Sequence, residues 1–152
     1  LLASTTVERR LEIMRDSRTG AYADVGIVVV LLLKNAALGS ITSMEALLFA
    51  PAAGRSALLL GALFPSARSS GLGAAFRDAL SPVRAAAALV PLLVLAVLFG
   101  IRGVLAVFVS VLAAFLVFNF ARLRIGGISG DVLGAACELV EVSVLILFVV
   151  AS

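Results

Sequence analysis

Five long apolar stretches govern what this chain can become. They cover residues 22–38, 44–64, 85–100, 104–120 and 132–151, and the fourth holds no charged residue. About 20 helical residues, rising 1.5 Å each, cross the ~30 Å of hydrocarbon in a bilayer. Within that hydrocarbon every backbone N–H and C=O must be satisfied inside the segment, so the stretches take the α-helical form. The expected fold is therefore all-α, a polytopic membrane helix bundle of five transmembrane helices in one domain covering residues 1–152. Composition agrees. The chain is 62% hydrophobic and 14% charged, where average soluble proteins have roughly 45–50% and about 25%. A soluble helical domain of this size has no use for so much apolar surface.

The head of the chain breaks the pattern. ERRLEIMRDSRTG, residues 8–20, is densely charged. Val7, Leu11 and Met14 recur at spacings of four and three, Ile13 widens that face, and Gly20 offers a stop. Residues 1–20 thus read as a short amphipathic helix outside the bilayer.

The links between spans sort by charge. The head carries Arg9, Arg10, Arg15 and Arg18, the second–third link Arg68, Arg77 and Arg84, and the fourth–fifth link Arg122 and Arg124. The remaining connections hold only Arg102. Such a bias places the head and those two links in the cytoplasm and the tail outside. It also accounts for the net charge of +3 better than a nucleic-acid partner does. The single cysteine, Cys137, lies in an apolar run and reads as a packing residue; histidine is absent. An intrachain disulfide, a cysteine zinc cluster and any histidine-based triad or proton shuttle are thereby excluded within these 152 residues. No secretory signal pattern is present.

ERRLEIMRDSRTG, SARSSGLG and RIGGISGD all fall on the expected cytoplasmic side, where loops held by a helical scaffold form sites. In the head, Glu8, Glu12 and Asp16 make a stripe at spacing four that calls for arginine partners or a divalent metal. Arg15 and Arg18 are suited to phosphate oxygens. A solvated helix with ordinary surface ion pairs explains the same pattern. In GGISGD, Gly126, Gly127 and Gly130 let backbone amides approach a phosphate at a helix N-terminus, although simple turn-making accounts for glycines equally well. Asp131 repels phosphate unless Mg2+ stands between them, the usual arrangement for that ion. Charges within the spans are costly, roughly 2.5–3.5 kcal/mol each at the bilayer centre on insertion scales. Lys34, Arg55, Glu138 and Glu141 are therefore expected to face the bundle interior, pairing with one another or lining a polar cavity open to the cytoplasm.

RRLEIMRDSRTGAY, a span with LLLK, a GR pair in the next, ARSSGLG, and then GGISGDVLGAACELVE together resemble the adenosylcobinamide-GDP ribazoletransferase, or cobalamin synthase, family. Order and spacing agree along essentially the whole chain, with Ser129 where threonine is more usual. The resemblance implies an integral inner-membrane enzyme of bacteria or archaea, dependent on Mg2+ and acting on its cytoplasmic face. It would join adenosylcobinamide-GDP to α-ribazole or its 5′-phosphate, giving adenosylcobalamin or its 5′-phosphate and GMP. It implies Asp16 and Asp131 as metal contacts, Arg15 and Arg18 as phosphate contacts, and Glu12, Lys34, Arg55, Glu138 and Glu141 as polar support. It also implies an aspartate-rich stretch, D-G-x-A-D-x-x-D-G, before the position of Leu1, holding further metal ligands and the base. On that reading the chain is the carboxy-terminal part of the enzyme. A transporter or channel subunit and a non-catalytic membrane scaffold are the rival readings, favoured respectively by intramembrane charge and by charges that only pair.

Overall fold

The computed structural model describes residues 5–14, 20–68 and 71–151. These residues form seven α-helices: α1 (Val7–Ile13), α2 (Ala21–Ser40), α3 (Met44–Gly61), α4 (Leu72–Ala79), α5 (Pro82–Leu98), α6 (Gly100–Ile125) and α7 (Gly130–Val150). No β-strand occurs among the described residues, and one isolated parallel bridge joins Ser66 to Ile128.

Three helices, α2, α6 and α7, are long and apolar enough to cross a membrane. A fourth span results if α4 and α5, bent by 98° at their break, are taken as one. The expectation of five is thus met only at the coarser level of an all-helical fold with three or four span candidates. The remaining two stretches fall short for different reasons. α3 has the length but carries Glu45 and Arg55, and α5 has only 17 residues. The second–third link contains a short helix, α4.

Helix ends follow local chemistry. Ser81 and Ser129 cap α5 and α7, their hydroxyls accepting from the amides of Arg84 at 3.3 Å and Val132 at 3.4 Å. Pro82 takes the first turn of α5, where no amide partner is lost. α6 ends at Gly126, whose φ of 77° lies in the left-handed region that favours glycine.

The core lies where α3, α6 and α7 meet, around Phe49, Phe118, Val140 and Val144. Small residues let these helices approach. A Cβ on Gly54 would stand 2.6 Å from Glu141 Cγ, and one on Gly61 2.5 Å from Leu133 Cδ2. Between membrane helices, where lipid removes the hydrophobic drive, such close backbone packing holds the helices together. Among the described residues α2 packs on α7 alone and buries only Ala37.

The links separate into two ends. Arg102, at the start of α6, lies 3.9 Å from Glu45, at the start of α3. The α2–α3 and α5–α6 turns therefore share one end. The segments after α3 and α6 share the other.

Candidate functional site

At that second end three separate segments are tied together. The Ile128 amide donates to the Pro65 carbonyl and the Ala67 amide to the Ile128 carbonyl, both at 2.8 Å. The Arg10 guanidinium donates to the Arg124 carbonyl at 2.9 Å, and that of Arg68 to the Leu11 carbonyl at 2.8 Å. Head helix, post-α3 segment and pre-α7 loop thus meet through backbone and arginine contacts. Arg68 Nε is buried without a partner among the described residues.

The glycine loop is occupied by its own packing. The Gly126 amide donates to the Arg122 carbonyl at 2.9 Å and so closes α6. Gly127 is buried, and a Cβ there would strike the Pro65 carbonyl oxygen. Gly130 opens α7, beside Ser129. Gly73 of α4 lies over them: a Cβ on it would be 3.3 Å from Ser129 Cα. The crevice left between Ser66, Arg68, Gly71, Gly73, Ser129 and Gly130 measures about 30 Å3. That is one water's share of liquid volume, far short of a diphosphate.

Asp131 stands exposed in the first turn of α7, and its carboxylate makes no hydrogen bond or ion pair with a described residue. Asp16, Arg15 and Arg18 lie outside the described residues. Glu12 is exposed and pairs with Arg9 at 2.6 Å.

Further along the helices the four charges expected within the spans come together. Lys34 Nζ lies 2.5 Å from Glu138 and 2.7 Å from Glu141. Arg55 pairs with the other oxygen of Glu141. Glu141 is the hub, its side chain 13% exposed, and it ties α2, α3 and α7 together. Glu138 and Arg55 are more than half exposed. The Cys137 thiol donates weakly toward Glu141 at 3.8 Å. Asp131 and Glu138, seven residues apart, stand about 10 Å apart along α7, so the ion-pair cluster is a separate layer below the loop end. Among the described residues no three Asp, Glu or Cys side chains gather to hold a metal. Glu138 and Glu141 are already committed to cations, so the described residues by themselves do not make a Mg2+ site.

Sequence reasoning missed the Arg68–Leu11 contact and the Ser66–Ile128 pairing. Neither leaves a periodic signal, since a lone arginine and a two-residue bridge have no repeat. It also passed over Glu45, whose first-turn position on α3 suits a carboxylate.

Fold and site define a class: a helical protein with several helices of membrane-span character, ion pairs joining three helices, and three polar segments clasped at one end. The sequence profile described as cobalamin-5-phosphate synthase matches residues 1–149, and the chain belongs to that family. It is 39% identical to an adenosylcobinamide-GDP ribazoletransferase of Roseiflexus sp. (strain RS-1), over 89% of this chain and 52% of that protein. Identity is 42% with the enzyme so named from Pseudomonas fluorescens, over 91% of this chain and 59% of the relative. With that of Desulforamulus reducens it is 35%, over 97% and 61%. The chain therefore spans between half and about three-fifths of the length of these relatives. No solved structure matches.

Proposed function

We propose that this chain is the membrane-embedded part of an adenosylcobinamide-GDP ribazoletransferase, joining adenosylcobinamide-GDP to α-ribazole or its 5′-phosphate with release of GMP. The observation that carries it is the clasp of head helix, post-α3 segment and pre-α7 loop beside the free carboxylate of Asp131, in a chain of this family. In the reaction a ribose hydroxyl oxygen bonds to the cobinamide-side phosphorus, the bond from that phosphorus to GMP breaks, and the hydroxyl proton leaves to a base. The site must neutralise a diphosphate, hold the hydroxyl in line and accept that proton.

Arg15 and Arg18 are the proposed phosphate contacts; the crevice at the α7 N-terminus, Gly130, has room for a single phosphate oxygen and no more. Gly126 and Gly127 shape the loop that presents that terminus. Asp16 and Asp131 are proposed as ligands of Mg2+, with further oxygens from outside the described residues; when bound, the ion offsets diphosphate charge. The Lys34–Glu138–Glu141–Arg55 cluster supports the bundle rather than touching substrate. Five spans in a prokaryotic inner membrane, with the clasped end cytoplasmic, complete the reading. The arginine bias of the links supports that orientation.

The test is GMP release from adenosylcobinamide-GDP and α-ribazole by the full-length protein in membranes. Release that requires both substrates is the expected result. A transport signal without GMP, or neither, would leave the channel or scaffold reading in its place.

A further inference from the structure

Two cavities between α6 and its neighbours α3 and α5 are not used by the proposed reaction. One, of about 490 Å3, is lined by Leu60, Leu63, Phe64, Val111 and Phe115, with Asn119 and Arg122 at its rim. The other, of about 220 Å3, sits between α3, α5 and α6 against Leu89, Leu92 and Val107. They share Leu60 and Val111 in their walls and so adjoin one another, an apolar channel in two parts. Along α6 the lining runs Val111, Phe115, Asn119, Arg122, at spacings of four, four and three, about 16 Å of one helix face. That face is apolar at depth and ends in an amide and a guanidinium. Arg122 is exposed, and its guanidinium makes no hydrogen bond or ion pair with a described residue. It stands at the arginine-bearing end of the helix, one turn before the Gly126 stop.

We infer that this channel is a binding site for one anionic phospholipid, an acyl chain lying from Phe115 toward Leu92 and the headgroup phosphate on Arg122. A guanidinium offers two parallel donors to a phosphate. Basic pockets between membrane helices on the cytoplasmic side take acidic headgroups for this reason. The channel is open along its outer side, where Leu63, Val111 and Phe115 are exposed, so a hydrocarbon chain enters it directly from surrounding lipid. The inference rests on the membrane reading of the chain but on none of the residues assigned to the reaction.

The 152 residues contain no tryptophan, so an introduced one is read against the unsubstituted full-length protein. Phe115→Trp and, because Leu63 is 80% exposed and tolerates change, Leu63→Trp report on the channel. Phe108→Trp, on α6 outside the channel and 64% exposed, reports on ordinary surrounding lipid. Each is reconstituted in bilayers of phosphatidylcholine or phosphatidylglycerol with brominated acyl chains, which quench nearby tryptophan. The expected result is about five-fold preference for phosphatidylglycerol at the channel reporters, the scale of one arginine against an acidic headgroup. The preference should be absent at position 108 and abolished at the channel by Arg122→Gln. Equal quenching by both lipids at the channel overturns the inference and leaves ordinary surrounding lipid. Quenching at position 108 but none at the channel also overturns it, because protein then covers the groove. No quenching at any reporter defeats the membrane reading itself.

Discussion

At the scale of single residues, the loop end is held by close backbone approaches that leave no room for a side chain. Gly127 shows this most sharply. A Cβ there would meet the Pro65 carbonyl oxygen, Ala67 N at 2.7 Å and Ser66 C at 2.8 Å, all of them backbone atoms that cannot swing away. Gly127→Ala should therefore cost about 1–3 kcal/mol, the usual range for overpacking, seen as a lower unfolding midpoint in detergent micelles. An unchanged midpoint would show that the two segments are not in contact. The sequence marked these glycines as either turn-makers or phosphate cradle and could not decide between them. The deciding partner, the segment around Ser66, lies some sixty residues away in the chain, and nothing local records such a contact. Asp131 was legible as a charged residue at a helix start, and its freedom from any described partner became visible only in the fold.

Among the elements, α2, α3 and α7 are joined by one carboxylate. Glu141 accepts from Lys34 and Arg55 together, whereas Glu138 shares Lys34 and is half exposed. Losing Glu141 leaves Arg55 unpaired and takes from Lys34 its more buried partner. Losing Glu138 leaves Lys34 still paired. Glu141→Gln should thus destabilise by about 3 kcal/mol, the low end for breaking a buried pair, and Glu138→Gln by about 1 kcal/mol or less, as for exposed pairs. Unfolding midpoints of the two variants in micelles check this; equal losses would contradict the hub role of Glu141. Chemistry alone required these four charges to avoid lipid, but the pairing pattern was out of reach. It depends on Gly54 letting Glu141 lie against α3, a consequence of helix rotation. The uncharged stretch 104–120 falls inside α6. The broken α4–α5 element left no local signature, because Ser81 and Pro82 mark a helix start as readily as a loop.

For the whole molecule, alternating links place two kinds of end on opposite sides. Single cysteines at Ser43 and Ser66, with Cys137 replaced by Ala, should be labelled by a membrane-impermeant reagent from opposite faces of sealed vesicles; labelling from one face would break the topology. The expected orientation comes from arginine counts, a sum over links rather than a matter of contacts; the structure itself groups the α2–α3 and α5–α6 turns at one end and the segments after α3 and α6 at the other. The meeting of the links through Arg10, Arg68 and Ile128 was foreseen only as a shared side. The central claim is that this clasped end is where GMP is released. It is tested most directly by Asp131→Asn in the full-length protein, measuring GMP release as Mg2+ is varied. The account predicts a rate at least about tenfold lower, some 1.4 kcal/mol of transition-state stabilisation, with more Mg2+ needed for half-maximal rate and the unfolding midpoint unchanged. Unaltered turnover at limiting Mg2+ would contradict it and return Asp131 to the role of a surface carboxylate at a helix start.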